Sequence, residues 1–184
     1  MTTTSTAVRP EVGTWTIDAS HSRVGFTVRH LGFSKVRGAF KSFEGTITVA
    51  EDVASSKAEV TIQADSFDSG DEGRDGHVRG EDFLDVEKFP TLTFVVTDVR
   101  HVEGNEYVVA GDLTIRGVTK PVELATEFLG SDVDPFGNTK AAFEATTEID
   151  REAFGLTWNA ALESGGVLVG KKVTIELEVQ ATRA

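Results

Sequence analysis

Ionisable side chains are concentrated in one segment of the sequence, residues 67–90. Within it, Arg74, Asp75, His77 and Arg79 lie within one or two helical turns of each other. If the segment is helical, Asp75 and Arg79 are four residues apart and can form an ion pair, whereas Asp75 and His77 do not face each other. This spacing favours a short helix that plugs one end of the fold over an Asp–His acid–base pair.

Two functional interpretations of the segment stay open beside the structural one. In the first, Arg74, His77 and Arg79 form a polar mouth that meets the head group of a ligand. In the second, Asp75 and His77 act as the acid–base pair of a small isomerase or hydrolase. Because their spacing is poor for such a pair, we assign no catalytic residue.

Metal and nucleotide chemistry have little support in the sequence. The chain has no cysteine, which removes thiolate ligands and a cysteine nucleophile. The four histidines are dispersed without the spacing of metal ligands: His21, His30, His77 and His101. Gly165 and Lys171 have the spacing of a phosphate-binding loop, but Lys172 stands where Ser or Thr would bind magnesium, and a strand-like pattern follows. We therefore expect no metal and no cofactor.

Composition limits the partners of the chain. Its 184 residues, 39% of them hydrophobic and 26% charged, suit one globular domain. A net charge of -12 argues against binding to nucleic acid and to anionic lipid surfaces as a whole, since both recruit a basic face. A local basic pocket is compatible with this acidic total.

The first residues of the chain lack the alternating pattern of the rest. Residues 1–11 are polar and unpatterned, which predicts a disordered N-terminal tail. No secretory signal and no apolar run of about 20 residues is present. We expect a cytoplasmic protein without stable membrane insertion, as a monomer or a homodimer.

Apolar and polar residues alternate along most of the chain after residue 12. The last such run, from Val173 to Ala181, is the most regular. Alternation with period two is typical of strands that have one buried and one solvated face. About eight such runs, joined by short turns, predict an all-β fold: an antiparallel barrel with one or two short helices in the connections.

The interior of this barrel is expected to be rich in phenylalanine. The chain has 12 Phe but only one Tyr and one Met, and several of the Phe residues fall on the apolar faces. A barrel of about eight strands either fills with side chains or leaves room for one apolar ligand. The residues by themselves leave both outcomes open.

Five segments of the sequence resemble the YceI-like family, in the family's order. They are residues 15–32, with Trp15, Asp18, His21, Ser22 and His30; 38–45, with Gly38 and Phe40; 74–90, with Arg74, His77, Arg79 and Pro90; 111–121, with Gly111, Arg116 and Pro121; and 149–158, with Arg151, Phe154, Gly155 and Trp158. Each segment is weak alone, but together they extend over most of the chain. The resemblance implies that residues 12–184 form a single YceI-like β-barrel domain.

The resemblance also implies a function and a site. Proteins of this family are lipocalin-like barrels described as holding a polyisoprenoid or the tail of an isoprenoid quinone, so we expect non-enzymatic binding, transport or sequestration of an isoprenoid lipid. The expected interior ligand-binding residues are Phe26, Val28, Phe43, Ile47, Val60, Ile62, Phe83, Phe94, Val96, Leu113, Phe143, Phe154, Trp158, Ile175 and Leu177. The expected polar mouth is Arg74, His77 and Arg79. Many relatives are periplasmic, whereas this sequence, lacking a signal, is expected to belong to a cytoplasmic branch.

Overall fold

The alternating segments form antiparallel β-strands in the computed structural model of the protein, which describes residues 8–184. The strands are β1 (Gly13–Ile17), β2 (Arg23–His30), β3 (Ser34–Phe40), β4 (Phe43–Val49), β5 (Lys57–Gln63), β6 (Phe67–Asp68), β7 (Thr91–Glu103), β8 (Glu106–Ile115), β9 (Val118–Val133), β10 (Thr139–Asp150) and β11 (Val169–Arg183). The one α-helix of the described residues, α1, is Glu72–Arg79, and short 3-10 turns lie at Ala19–His21, Val53–Ser55, Ala64–Ser66 and Arg151–Phe154.

Eight of these strands close into a barrel. The order around the ring is β1, β4, β5, β7, β8, β9, β10 and β11, and β11 pairs back onto β1. The remaining three strands extend the wall at one end, since β2 pairs with the first half of β11, β3 with β2, and β6 with β3. The predicted all-β, lipocalin-like antiparallel barrel is confirmed.

Strand β3 follows a break in the alternating pattern at residues 30–34 and precedes β4, which begins at Phe43. The break is real: Leu31 and Gly32 have positive φ angles and form the turn between β2 and β3. The strand that follows contains a glycine and three charged or hydroxyl residues in its first five positions, a composition with low strand propensity. Pairing with β2 along its whole length overrides this local preference.

The barrel interior is divided into two apolar clusters. The larger cluster occupies the end of the barrel that includes α1, with Phe83, Leu84, Phe154 and Leu156 among its buried members. The smaller one, here called the Trp15 cluster, packs the opposite end and consists of Trp15, Val49, Tyr107, Phe128, Ala141 and Ala181. Trp15 is 1% exposed, and its indole N–H donates to the carbonyl of Glu11 at 3.0 Å. One end of the barrel is therefore closed by side chains.

The predicted N-terminal tail is only partly described. Residues 1–7 lie outside the described residues. Residues 8–11 form neither strand nor helix, yet they are hydrogen-bonded to the barrel: Val8 N donates to Gly104 O at 3.0 Å, and the Tyr107 hydroxyl donates to Val8 O at 2.6 Å. The Arg9 guanidinium donates to the carbonyls of Ala50 and Glu51. Hydrogen bonds at Val8, Arg9 and Glu11 therefore hold this part of the segment against the barrel.

Helix α1 is short and intrinsically weak, with two glycines in eight residues. Asp71 caps it by accepting from Arg74 N at 2.8 Å, and the helix ends at Gly80. The turns that follow bring Phe83 and Leu84 into the larger cluster. Among residues 8–184, no helix is long and apolar enough to cross a bilayer.

Candidate functional site

A cavity of about 550 Å³ lies inside the larger cluster, at the end of the barrel beside α1. Its wall is almost entirely apolar, because every surrounding strand turns its apolar face inward. Most of the residues predicted to form the interior line it: Phe26, Val28, Phe43, Val60, Ile62, Phe83, Phe94, Leu113, Phe154, Trp158, Ile175 and Leu177. The barrel is therefore open at this end rather than fully packed.

Three of the predicted interior residues do not line the cavity. Phe143 belongs to the other end, where it packs against Phe128 of the Trp15 cluster at 5.5 Å between ring centroids. Ile47 pairs with Trp15 across β4 and β1 and packs between the two clusters. Val96 is buried beside a bulge in β7. Alternation predicts the face of a strand on which a residue lies but not its height along the barrel axis.

Other lining residues were not predicted as site residues. The apolar ones include Val24, Phe40, Phe67, Leu92, Ile115, Val122, Leu124, Ile149 and Val173. Several of them, such as Leu92 and Ile115, lie two residues from a predicted site residue on the same strand face, and this signal was available in the sequence. Phe40 and Phe67 lack this signal, because they lie on β3 and on the two-residue β6, where no predicted site residue lies. There Phe67 stacks on Phe26 at 4.8 Å.

Two glycines make room for the rings that shape the cavity. A β-carbon at Gly38 would lie 2.4 Å from the Phe26 ring, and one at Gly111 would lie 2.6 Å from the Phe94 ring. Each ring thus crosses the backbone of the neighbouring strand at a position where only glycine fits. The two Phe side chains owe their position inside the barrel to these gaps.

The entrance of the cavity is bordered by an aromatic group. His77 packs edge-on against Trp158 at 4.6 Å and against Phe83 at 5.1 Å between ring centroids. Its Nε2 atom is 2.7 Å from a carboxylate oxygen of Asp82. His77 and Arg74, two of the three residues of the expected polar mouth, both line the cavity.

Asp75 does not pair with Arg79 or with His77. It is 5% exposed and accepts hydrogen bonds from the backbone N–H and the hydroxyl of Ser69. The expected Asp75–Arg79 ion pair is therefore wrong, because Ser69, three residues before the start of α1, donates to the carboxylate instead. The Asp75–His77 acid–base pair is absent for the same reason, with His77 turned to Asp82 instead.

Both arginines of α1 donate hydrogen bonds to residues that precede the helix. Arg79 donates to the carbonyls of Asp65 and Phe67 at 3.0 and 2.6 Å and does not line the cavity, so its expected place in the mouth is wrong. Arg74 lines the cavity but donates through Nε and Nη2 to Ser69. The two side chains hold α1 against the end of the barrel.

Arg151 holds one wall of the site in place. The sequence showed it only as part of the family-like segment 149–158 and indicated no role for it. It is 4% exposed and donates to four carbonyl groups, those of Leu156, Trp158, Val169 and Gly170, at 2.6 to 3.3 Å. Its guanidinium lies 5.8 Å from the centroid of the Phe83 ring. Burial lowers the pKa of Arg151, and neighbouring Glu152 and Asp150 oppose that shift. The residue fixes the loop that forms one wall of the mouth.

The remaining polar lining is sparse. Arg29 and His30 border the mouth from β2, and Thr147 lies on the inner face of β10. Within residues 8–184 no group of three or more His, Cys, Asp or Glu side chains could hold a metal ion. The geometry suits a ligand with an apolar body inside the barrel and a polar end at the mouth.

The sequence comparisons agree over nearly the whole chain. The model of the YceI-like domain matches residues 15–181. The protein YceI of Salmonella arizonae is 42% identical over 158 residues, which cover 84% of this chain and 81% of the relative.

Solved structures share the fold. BcnA of Burkholderia cenocepacia superposes with a TM-score of 0.79 at 27% identity, covering 90% of this chain and 99% of that one. A polyisoprenoid binding domain from Saccharophagus degradans, implicated in plant cell wall breakdown, has a TM-score of 0.69 at 15% identity and covers 95% of this chain and 100% of its own. At that identity the second likeness concerns the fold alone.

Proposed function

The chain belongs to the YceI-like domain family, and from this premise we propose that it binds an isoprenoid lipid in the barrel as a non-enzymatic carrier or sequestering protein. The observation that carries the proposal is the cavity of about 550 Å³, lined by apolar side chains and closed at its far end by the Trp15 cluster. This volume lies within the range of roughly 300–1,000 Å³ that is typical of small-molecule sites.

The lining supplies enough free energy for tight binding without polar contacts inside the barrel. Burying one CH₂ group contributes about 0.8 kcal/mol, so a five-carbon isoprene unit contributes roughly 4 kcal/mol before ordering costs are subtracted. A few units in such a site offset those costs.

The polar end of the ligand is expected at the mouth. Arg74 and His77 reach that end of the cavity from α1, and Arg29 reaches it from β2. The Saccharophagus degradans domain, which shares the fold, is named as polyisoprenoid binding, and this name guides the choice of probe for this chain.

Native mass spectrometry of the purified protein, with solvent extraction, tests the proposal. We expect a co-purified apolar ligand, or uptake of added farnesol or a short-chain isoprenoid quinone. Val122 lines the cavity and Glu123, next to it on β9, is exposed. Val122→Trp fills the cavity and should reduce uptake at least tenfold, whereas Glu123→Trp should leave it unchanged.

An apo protein that takes up neither probe would refute the proposal. Equal uptake by the two tryptophan variants would also refute it, since the ligand would then bind outside the barrel. Thermal unfolding of both variants shows whether each is folded before uptake is compared.

A further inference from the structure

The outer wall of the barrel beside the mouth carries a cluster of basic side chains on an otherwise acidic protein. The cluster consists of Arg29, Lys35, Arg37, Lys171 and Lys172, all exposed on β2, β3 and the start of β11. They surround a shallow depression that also contains Glu148 and Glu176. Because the whole chain has a net charge of -12, this concentration of positive charge is local and is not a consequence of composition.

Within the described part of the chain, most members of the cluster form no ion pair, although Asp150 lies opposite Lys172 in the β10–β11 register and Glu148 and Glu176 line the same depression. Across residues 8–184, Lys171 is the one member with an ion pair, to Glu152 at 3.4 Å. Arg29 lies directly opposite Lys35 in the β2–β3 register. Like charges at opposite positions of antiparallel strands are destabilising. An arrangement that lowers stability in the free protein is relieved when an anionic partner binds.

Exposed apolar side chains lie at the tip beside these charges. Leu31 and Phe33 occupy the turn between β2 and β3, and Phe33 is 76% exposed. Val167, 49% exposed, lies on the adjacent loop, which is tied to the turn by the hydrogen bond from Leu31 N to Leu168 O at 2.9 Å. Leu168 itself lines the cavity. The apolar tip is therefore continuous with the cavity mouth.

We propose that the β2–β3 turn docks on the surface of an anionic lipid bilayer. The basic cluster meets the phosphate groups of the lipids, and Phe33, Leu31 and Val167 enter the boundary between head groups and acyl chains. Basic residues beside exposed apolar ones are the combination that gives reversible binding at a membrane surface. Docking in this orientation brings the cavity mouth to the lipid phase, so the inference adds a loading site to the proposed function.

Two other exposed parts of the surface are less suited to an anionic bilayer. The mouth segment that contains α1 carries Glu72, Glu81 and Asp82, so contact is expected through the β2–β3 side of the rim. Phe136, 88% exposed, lies on the β9–β10 turn at the opposite end of the barrel, where Asp132 and Asp134 precede it in the sequence. An anionic bilayer repels that tip.

Co-sedimentation of the full chain with vesicles tests the proposal. We expect binding to vesicles that contain phosphatidylglycerol, weak binding to pure phosphatidylcholine, and loss of binding as salt concentration rises. Lys35→Gln and Arg37→Gln should each weaken binding about fivefold and the double variant about twenty-fivefold. Phe33→Ser should weaken it severalfold, whereas Phe136→Ser, the same change at the other tip, should have no effect.

Two results would overturn the docking surface: no binding to anionic vesicles at low salt, or equal effects of Phe33→Ser and Phe136→Ser. Uptake of farnesol in the absence of vesicles separates this proposal from the preceding one. The double Lys35→Gln, Arg37→Gln variant should retain uptake in solution, because neither side chain lines the cavity. If uptake fails while vesicle binding follows the expected pattern, the docking proposal stands and the lipid-binding one falls.

Discussion

At the scale of single residues, Arg151 shows how the mouth is built. A buried guanidinium without a buried carboxylate partner is unusual, since charge burial is costly unless hydrogen bonds replace the lost water. Here two carbonyls of the loop between the last 3-10 turn and β11, and two carbonyls at the start of β11, supply them. The charge thereby organises a loop that has no regular structure of its own.

Replacing this side chain should destabilise the whole domain. Arg151→Met keeps the aliphatic stem but leaves four carbonyls without their donor, and each orphaned buried acceptor costs about 1–3 kcal/mol. We expect the free energy of unfolding, measured by urea denaturation, to fall by about 3 kcal/mol or more. Arg37→Met, the same change at an exposed arginine, should alter it by less than about 0.5 kcal/mol. Similar losses in both variants would contradict the role assigned to Arg151.

At the scale of elements, the cavity depends on glycines placed opposite aromatic residues. Gly111 of β8 lies directly across from Val96 of β7, and the Phe94 ring two residues earlier folds over it. A strand glycine reduces intrinsic strand stability, but here it allows a large side chain to lie flat along the wall. The shape of the lining is therefore set by pairs of residues on neighbouring strands.

Gly111→Ala tests this dependence. The added methyl group would lie 2.6 Å from both the Phe94 ring and the carbonyl oxygen of Val95, so both the ring and the backbone must shift. We expect a loss of about 1–3 kcal/mol in the free energy of unfolding and weaker farnesol uptake, since the ring moves into the cavity. Gly76→Ala, in α1 with no atom within 4 Å of the new methyl group, should be neutral or stabilising by up to about 1 kcal/mol. A Gly111→Ala protein as stable as the wild type would contradict this dependence, because the cavity wall would then accommodate the methyl group.

At the scale of the whole molecule, the barrel depends on one short seam. Strands β1 and β11 are joined by three residue pairs, and Asp18 continues this seam beyond β1. Its backbone N–H donates to Gln180 O at 2.8 Å, and its carboxylate lies 3.3 Å from Lys140 Nζ, which also donates to Thr182 Oγ1. The seam thus joins residues from the beginning and the end of the chain.

The seam should weaken in acid. Hydrogen bonds from Ser20 and His21, with a further one from Lys140, hold the pKa of Asp18 well below its usual range. A lowered folded-state pKa contributes stability above the unfolded value of about 3.9 and loses it as pH falls through the folded-state pKa. Asp18→Asn should therefore reduce the free energy of unfolding at pH 7 by about 1–2 kcal/mol.

Urea denaturation at a series of pH values checks this prediction. The difference between wild type and Asp18→Asn should be constant from pH 7 to about 5 and should shrink below about pH 4. Asp98→Asn, at an exposed carboxylate, is the control and should show little difference at any pH. A gap between wild type and Asp18→Asn that does not change with pH would rule out the carboxylate as its source.

The sequence by itself determined the fold class and the inward-facing positions on many of the strands. Alternation at residues such as Phe94, Leu113 and Ile175 is local information, because successive side chains of a strand point to opposite faces. A short helix within residues 67–90 was also foreseeable, although the ion pair expected to support it does not form. The strand at Lys171, where a phosphate-binding loop would need a helix, was foreseeable as well.

Only the tertiary structure decided which inward residues meet the cavity and which polar groups are free. Phe143 and Phe94 have the same pattern in sequence, but barrel closure places one in the Trp15 cluster and the other on the cavity wall. Asp75 and Arg79 have ideal spacing for an ion pair, but Asp75 accepts hydrogen bonds from Ser69 and Arg79 donates to two backbone carbonyls. Height along the barrel and competition for hydrogen bonds depend on strands distant in sequence, and no local pattern records them.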